Sequence, residues 1–238
     1  MCSWRSRRFA AGLPPLPAAP DKPIVCYVTD RKSLGSAASV PSVLEKIRAA
    51  AQAGVDWIQI REKDLPAREL LALAREAVSI AQSSASKALV IVNDRLDVAL
   101  AAGAAGVHLG GESAPAREVV RWCRGAGNAP AGFRIGVSCH NVQETQEAES
   151  AGADYALFGP VFDTPSKRSY GTPQGIARLK EVCAAVQILV IAIGGVNEKN
   201  GVECIRAGAA GIAAIRMFQE AKNQQVLADA VALIHRLT

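Results

Sequence analysis

The sequence predicts an α/β fold, a single-domain (β/α)8 TIM barrel over residues 23–238. Three observations lead there. From residue 24 onward, eight strand-like stretches alternate with eight helix-like ones. Strict alternation demands parallel strands, and eight of them can close. The dipeptide Ala-Gly recurs at 53–54, 102–103, 151–152 and 207–208, each time at a helix end just before a strand. The spacings of 49, 49 and 56 residues are about two βα units each, and glycine suits the left-handed conformation that ends a helix. Lastly, no Gly-x-Gly-x-x-Gly turn follows the first strand, which counts against an open doubly wound sheet.

Each element has its own signature. Residues 24–29 (Ile-Val-Cys-Tyr-Val-Thr) read as a buried strand, and Leu44, Ile47 and Ala51 then recur at helical spacing up to Gly54. The second strand is 57–60. Leu70, Leu73, Ala74, Ala77, Val78 and Ala81 make a strongly amphipathic helix after it. A third strand at 88–92 leads into a short helix over 96–102. A fourth at 106–109 precedes a helix near 115–124, and a fifth at 134–138 precedes one near 142–150. The sixth strand is 155–158, with Ile176, Leu179, Cys183 and Val186 marking its helix. The seventh is 188–193, with a helix near 198–206. The eighth is 211–215, and Leu227, Ala230, Val231 and Ile234 mark the last helix.

Composition excludes several classes. The 238 residues suit one barrel, which typically needs about 250. Formal net charge is +5, but residues 1–22 hold Arg5, Arg7, Arg8 and Lys22 against Asp21, which leaves the body nearly neutral. With 5% aromatic residues as well, nothing suggests a nucleic-acid partner. No run of about 20 apolar residues appears, so no membrane partner is expected. The six cysteines are scattered without a Cys-x-x-Cys pair, which fits reduced thiols and a cytoplasmic protein. A homo-oligomer is compatible with the sequence. Residues 1–22 are expected to be a disordered tail; being Arg-rich and acid-free to residue 20, they also fit an organelle-targeting segment.

In such a barrel, chemistry sits at the C-terminal ends of the strands. The most informative stretch is Gln59-Ile-Arg-Glu-Lys-Asp-Leu65. Strand alternation puts Gln59, Arg61 and Lys63 on one face and Ile58 and Ile60 on the other. A Gln/Arg/Lys row turned inward needs an anion. Alternatively, Arg61 and Lys63 simply reach water and pair with Glu62 or Asp64. Later strands end in Asn93-Asp94, Gly110-Gly-Glu-Ser113, Ser138-Cys-His140, Gly194-Gly195 and Ile215-Arg216, and the sixth runs into Gly159-Pro-Val-Phe-Asp-Thr-Pro-Ser-Lys-Arg168. Arg61, Lys63, Lys167, Arg168 and Arg216 supply positive charge, and Thr164 and Ser166 supply hydroxyls. Gly194-Gly195 lets backbone N–H groups approach an oxyanion and has little packing value after a buried strand. Asp94, with Asn93 beside it, can offer oxygen ligands to Mg²⁺. Together these read as a phosphate corner and a separate polyanion-and-metal corner. Plainer roles exist too: Asn93-Asp94 as a turn or helix cap, His140 as a structural hydrogen-bonder, His108 as barrel packing.

The ordered motifs Gln59-Ile-Arg-Glu-Lys-Asp, Val92-Asn-Asp-Arg, Gly106-Val-His-Leu-Gly, Ile135-Gly-Val-Ser-Cys-His, Gly152-Ala-Asp-Tyr, Gly159-Pro-Val-Phe-Asp-Thr-Pro-Ser-Lys and Ile193-Gly-Gly-Val resemble the thiamine phosphate synthase family, over about residues 24–236. The resemblance implies a (β/α)8 barrel and a Mg²⁺-dependent transferase acting on two small-molecule substrates. It joins a hydroxymethylpyrimidine diphosphate to a thiazole monophosphate, releasing pyrophosphate through a pyrimidine-stabilised carbocation. It further implies that Gln59, Arg61 and Lys63, with Asn93 and Lys167, hold the pyrimidine diphosphate. Asp94 ligates Mg²⁺ and Ser138 contacts the pyrimidine. Thr164 and Ser166 bind the thiazole phosphate, with backbone at Gly195 and at Ile215 and Arg216.

One departure stands out. After His-Leu-Gly the synthases usually carry a second acidic metal ligand, and here Ser113 takes that place, next to Glu112. His-Leu-Gly-x-x-Ser-x-Pro is also similar to the thiazole tautomerase branch of the superfamily, in which a histidine at His140's place is the acid/base. The alternatives are thus a tautomerase using His140 or a non-catalytic phosphate-binding barrel. Retention of Arg61, Lys63, Asn93, Asp94 and Lys167 favours the synthase.

Overall fold

The computed structural model describes residues 20–85, 87–125, 127–164 and 172–237. Eight parallel strands close in sequence order: β1 (Ile24–Val28), β2 (Trp57–Ile60), β3 (Leu89–Asn93), β4 (Gly106–Leu109), β5 (Arg134–Cys139), β6 (Tyr155–Phe158), β7 (Leu189–Ile193) and β8 (Gly211–Ala214). The eight predicted strands are all present, with ends shifted by a residue at most. Between and after them run α1 (Val40–Gln52), α2 (Ala67–Ser83), α3 (Leu96–Ala102), α4 (Ala116–Gly125), α5 (Val142–Ser150), α6 (Gly175–Ala185), α7 (Gly201–Arg206), α8 (Arg216–Gln219) and α9 (Gln224–His235). The expected eight helices are thus nine among the described residues. α8 is an added four-residue turn, and a 3-10 segment, Arg31–Ala37, follows β1. Both are too short to show a periodic pattern. No helix among the described residues is long and apolar enough to cross a membrane. Residues 1–19 of the expected tail lie outside the described ones.

The helices pack one apolar stripe against the outer faces of the strands. α2 buries Leu70, Leu73, Ala74, Ala77 and Ala81, as its spacing predicts. Asn141 and Asn223 cap α5 and α9, their side-chain oxygens accepting from Glu144 N at 2.8 Å and Val226 N at 2.9 Å. Burying one leucine in such a stripe is worth roughly 1.5–3 kcal/mol, so the outer shell rests on many such contacts.

The four Ala-Gly helix ends do take the left-handed form, with φ of 90°, 68°, 87° and 101° at Gly54, Gly103, Gly152 and Gly208. Their C-terminal neighbours alternate in kind. After Gly54 and Gly152 come an acid and an aromatic, Asp56-Trp57 and Asp154-Tyr155; after Gly103 and Gly208 comes Ala-Ala-Gly, ending on Gly106 and Gly211. Each acid accepts a backbone N–H of the preceding strand: Asp56 from Val25 at 2.9 Å and Asp154 from Ile135 at 2.7 Å. Trp57, Gly106, Tyr155 and Gly211 begin β2, β4, β6 and β8, facing inward as one layer from alternate strands. Trp57 and Tyr155 fill the floor of the barrel, their rings 4.8 Å apart edge to face. A Cβ on Gly106 would sit 2.4 Å from the Arg134 carbonyl oxygen, and one on Gly211 2.3 Å from that of Ile24. Large and small residues therefore alternate so that two rings fit where four would not.

The same floor ties the segment before β1 to the last helix. Asp56 also receives His235 Nε2 at 2.7 Å, from the end of α9, and Lys22 Nζ at 2.8 Å, from just before β1. Burial alone pushes the Asp56 carboxyl up, but bonds from His235, Lys22 and the Val25 amide outweigh it and hold it below the usual range.

Candidate active site

The upper interior divides in two. Inward residues near the C-terminal ends of β2 to β5 are polar, namely Gln59, Asn93, His108 and Ser138. Those of β6 to β1 are apolar, with Leu157, Ile193, Ala213 and Val28. Gln59 is only 2% exposed. It donates to Asn93 Oδ1 at 3.0 Å, and Asn93 donates in turn to Asp94 Oδ2 at 2.8 Å. Asp94 adopts φ of 61°, unusual outside glycine. Its N–H donates to the His108 carbonyl oxygen at 2.8 Å, which turns the carboxylate over the rim. Its Oδ1 accepts from the Ser113 hydroxyl, and Ser113 Oγ accepts from Gly110 N at 2.6 Å. Ser113 therefore stands against Asp94, where a second metal ligand was expected.

The charged motif after β2 sorts itself by sign. Glu62 turns away from the mouth and is buried, both its oxygens accepting from the Arg31 backbone N–H at 3.0 Å. Burial pushes its carboxyl up in spite of hydrogen bonds from Thr29 and Arg31. Asp64 pairs with Arg31 Nη2 at 2.6 Å and with Lys32 Nζ at 3.6 Å. The bases of the loop after β1 thus occupy both acids, and Arg61 and Lys63 lie within 4.0 Å of no carboxylate among the described residues. The pairing of Arg61 and Lys63 with Glu62 or Asp64 does not occur. Arg31 was missed in the sequence although it follows β1 closely, opening the 3-10 segment; its Nε is buried without a hydrogen-bond partner among the described residues.

His108 is more than packing. Fully buried, its ring meets Ser138 Oγ at 2.9 Å through Nε2 and the Tyr155 hydroxyl at 3.2 Å through Nδ1. Burial drives its pKa down to about 3. His140 sits at the end of β5, half exposed, its Nδ1 3.0 Å from Glu144 Oε2, which also accepts the His140 backbone N–H at 2.8 Å.

The opposite corner is built by close backbone approach. Gly194 and Gly195 have φ of 92° and 67°. A Cβ on the first would lie 2.5 Å from Pro160 Cα, and on the second 2.6 Å from the Asp163 carbonyl oxygen. The glycine pair therefore has a packing cause after all, because the loop after β6 lies directly on it. Val161 N and Phe162 N donate to the Ile193 and Gly194 carbonyls, each at 2.9 Å. Thr164, in the same stretch after β6, is half-buried. Ser166, Lys167 and Arg168 lie outside the described residues. Ile215 precedes α8 at the same rim, and the exposed Arg216 lies 3.7 Å from Glu220.

As a donor set for Mg²⁺, the rim offers the Asp94 carboxylate and the Ser113 hydroxyl, both oxygen, while the Asn93 amide turns its nitrogen to Asp94 and its oxygen to Gln59. No group of three acidic, histidine or cysteine side chains forms a closed cage among the described residues. Such a set fits an ion held by one carboxylate, water and substrate phosphate, the usual manner of Mg²⁺.

A model of the thiamine monophosphate synthase family matches residues 25–218. A thiamine-phosphate synthase of Methanoculleus marisnigri is 46% identical over 168 residues, covering 71% of this chain and 76% of that one. One from Roseiflexus castenholzii is 39% identical over 201 residues, covering 84% and 83%. Among solved structures, thiamine phosphate pyrophosphorylase from Pyrococcus furiosus is 31% identical, covers 90% of this chain and 96% of its own, and superposes with a TM-score of 0.76.

Proposed function

The chain belongs to the thiamine monophosphate synthase family, and from that premise we propose that it joins a hydroxymethylpyrimidine diphosphate to a thiazole monophosphate, releasing pyrophosphate. The observation that carries this reading is the sorting of charge after β2, which leaves Arg61 and Lys63 without an acid among the described residues, at a rim also holding Gln59, Asn93 and Asp94. One phosphate would not need so many groups; a diphosphate would.

Arg61, Lys63 and Lys167 would hold the diphosphate, with Gln59 and Asn93 orienting it, and Ser138 would hydrogen-bond the pyrimidine. Thr164, Ser166 and the backbone at Gly195, Ile215 and Arg216 would hold the thiazole phosphate. The carbon–oxygen bond to the diphosphate breaks and the thiazole nitrogen forms the new carbon–nitrogen bond. The protein has no covalent role: it stabilises charge on the departing pyrophosphate and fixes the nitrogen in line. Asp94, with Ser113 against it, would hold Mg²⁺, which when bound supplies further positive charge to the leaving group.

The test is formation of thiamine phosphate from the two substrates, with and without Mg²⁺, followed by its oxidised fluorescence. Mg²⁺-dependent product is expected. Thiazole phosphate binding without product would refute the proposal. Turnover of the thiazole tautomer would then point to His140, which Glu144 holds in place, and binding with neither turnover would make the barrel non-catalytic.

A further inference from the structure

Three strands build a buried chain of polar groups beneath the pyrimidine side of the mouth. Tyr155 comes from β6, His108 from β4 and Ser138 from β5. Gly136, also on β5, makes it possible: a Cβ there would lie 2.0 Å from Tyr155 Cζ. The absent side chain lets the Tyr155 ring lie across β5, stacked 5.6 Å from the His108 imidazole. Trp57 holds the ring from another side.

The direction of the hydrogen bonds in this chain can be worked out from its buried end. The Tyr155 residue is 1% exposed, and among the described residues its hydroxyl meets only His108 Nδ1. A buried O–H must donate, so Nδ1 is the acceptor. The imidazole is itself 1% exposed and touches no carboxylate among the described residues, so it is neutral and carries its one proton on Nε2. That proton goes to Ser138 Oγ. Ser138 then has its hydroxyl hydrogen left over, directed away from His108 and toward the mouth. With the opposite polarity, Ser138 would donate to Nε2 and His108 to Tyr155, stranding the phenolic hydrogen.

We infer that Tyr155 and His108 are positioning residues that keep the Ser138 hydroxyl hydrogen free to be donated to the substrate, so that this side of the site favours a ring presenting a lone-pair nitrogen over one presenting C–H at that place. The inference rests on the synthase reading only for the identity of that ring.

The test begins with the unmodified protein labelled with ¹⁵N-histidine. Long-range ¹H–¹⁵N correlations report which ring nitrogen is protonated, and a His108→Asn variant assigns the signal among the three histidines. Protonated Nε2 and bare Nδ1 are expected at His108; a proton on Nδ1 overturns the inference. Tyr155→Phe keeps the ring and removes the donor. It should mix the two tautomers and lower kcat/KM for the pyrimidine diphosphate roughly tenfold, the worth of about one hydrogen bond. KM for thiazole phosphate should stay unchanged. An unaltered tautomer together with unaltered kcat/KM would also overturn the inference. The nitrogen measurement needs no turnover, so failure of the synthase reading would show separately, as absence of product with the Nε2 pattern intact.

Discussion

Ser113→Asp restores the acid that this chain lacks, and the consequences can be worked out from the rim. The Ser113 hydroxyl donates to Asp94 Oδ1 and accepts from Gly110 N. A carboxylate in its place would stand about 4 Å from that of Asp94, where two like charges repel by about 1 kcal/mol in water and about 4 kcal/mol at an effective dielectric of 20. Asp94 is exposed, so the lower figure applies. Without Mg²⁺ the variant should therefore lose about 1 kcal/mol, or about 2–4 °C in Tm for a domain of this size. With Mg²⁺ the sign reverses, because the ion attracts both carboxylates. A gain of about 1–1.4 kcal/mol would lower the Mg²⁺ concentration for half-maximal rate about five- to tenfold. The assay is a Mg²⁺ titration of initial rate beside a thermal melt with and without the ion. An unchanged half-maximal concentration would mean that Glu112 or water already does this work. An unchanged Tm in metal-free buffer would mean that the two side chains do not meet.

The same geometry sets other outcomes. Lys63→Ala should lower turnover by orders of magnitude and leave thiazole phosphate binding and stability nearly untouched, since Lys63 is exposed and pairs with no described acid; comparable weakening of thiazole phosphate binding in calorimetry would place Lys63 at the wrong corner. Gly195→Ala should cost about 1–3 kcal/mol by overpacking against the Asp163 carbonyl and raise KM for thiazole phosphate, and an unchanged KM would separate that loop from the phosphate. The Asp56 carboxyl has a folded pKa below its unfolded one, so its stabilisation is full above about pH 4 and is lost as pH falls through the folded value. The Tm deficit of Asp56→Asn should be constant at neutral pH and shrink below about pH 4; a deficit that grows toward acid would contradict this.

The barrel was legible because its signals are local and repeated. Strands such as 57–60 and 106–109 are short apolar runs bounded by turn residues, and the helix ends at Gly54, Gly103, Gly152 and Gly208 need a backbone form that glycine favours. The rim could be read because the fold dictates where strands end. What could not be read depends on contacts distant in sequence. Nothing around Glu62 shows that the loop after β1 will claim it, 31 residues away. Gly194 and Gly195 looked free of packing duties because Pro160 and Asp163 reach them only across the β6–β7 pair. His108 read as filling because its partners, Ser138 and Tyr155, arrive on other strands. The alternation of Asp-aromatic with Ala-Gly after the helix ends was visible in the letters, but its sense needed the register that brings Trp57 and Tyr155 together.

That floor decides how molecules come and go. With Trp57 and Tyr155 meeting edge to face below the polar layer, the interior is plugged at its N-terminal end, which leaves the C-terminal rim for traffic. On the proposed reaction, two substrates would load and two products would leave at that rim, and a product still held there would keep the next pair of substrates out.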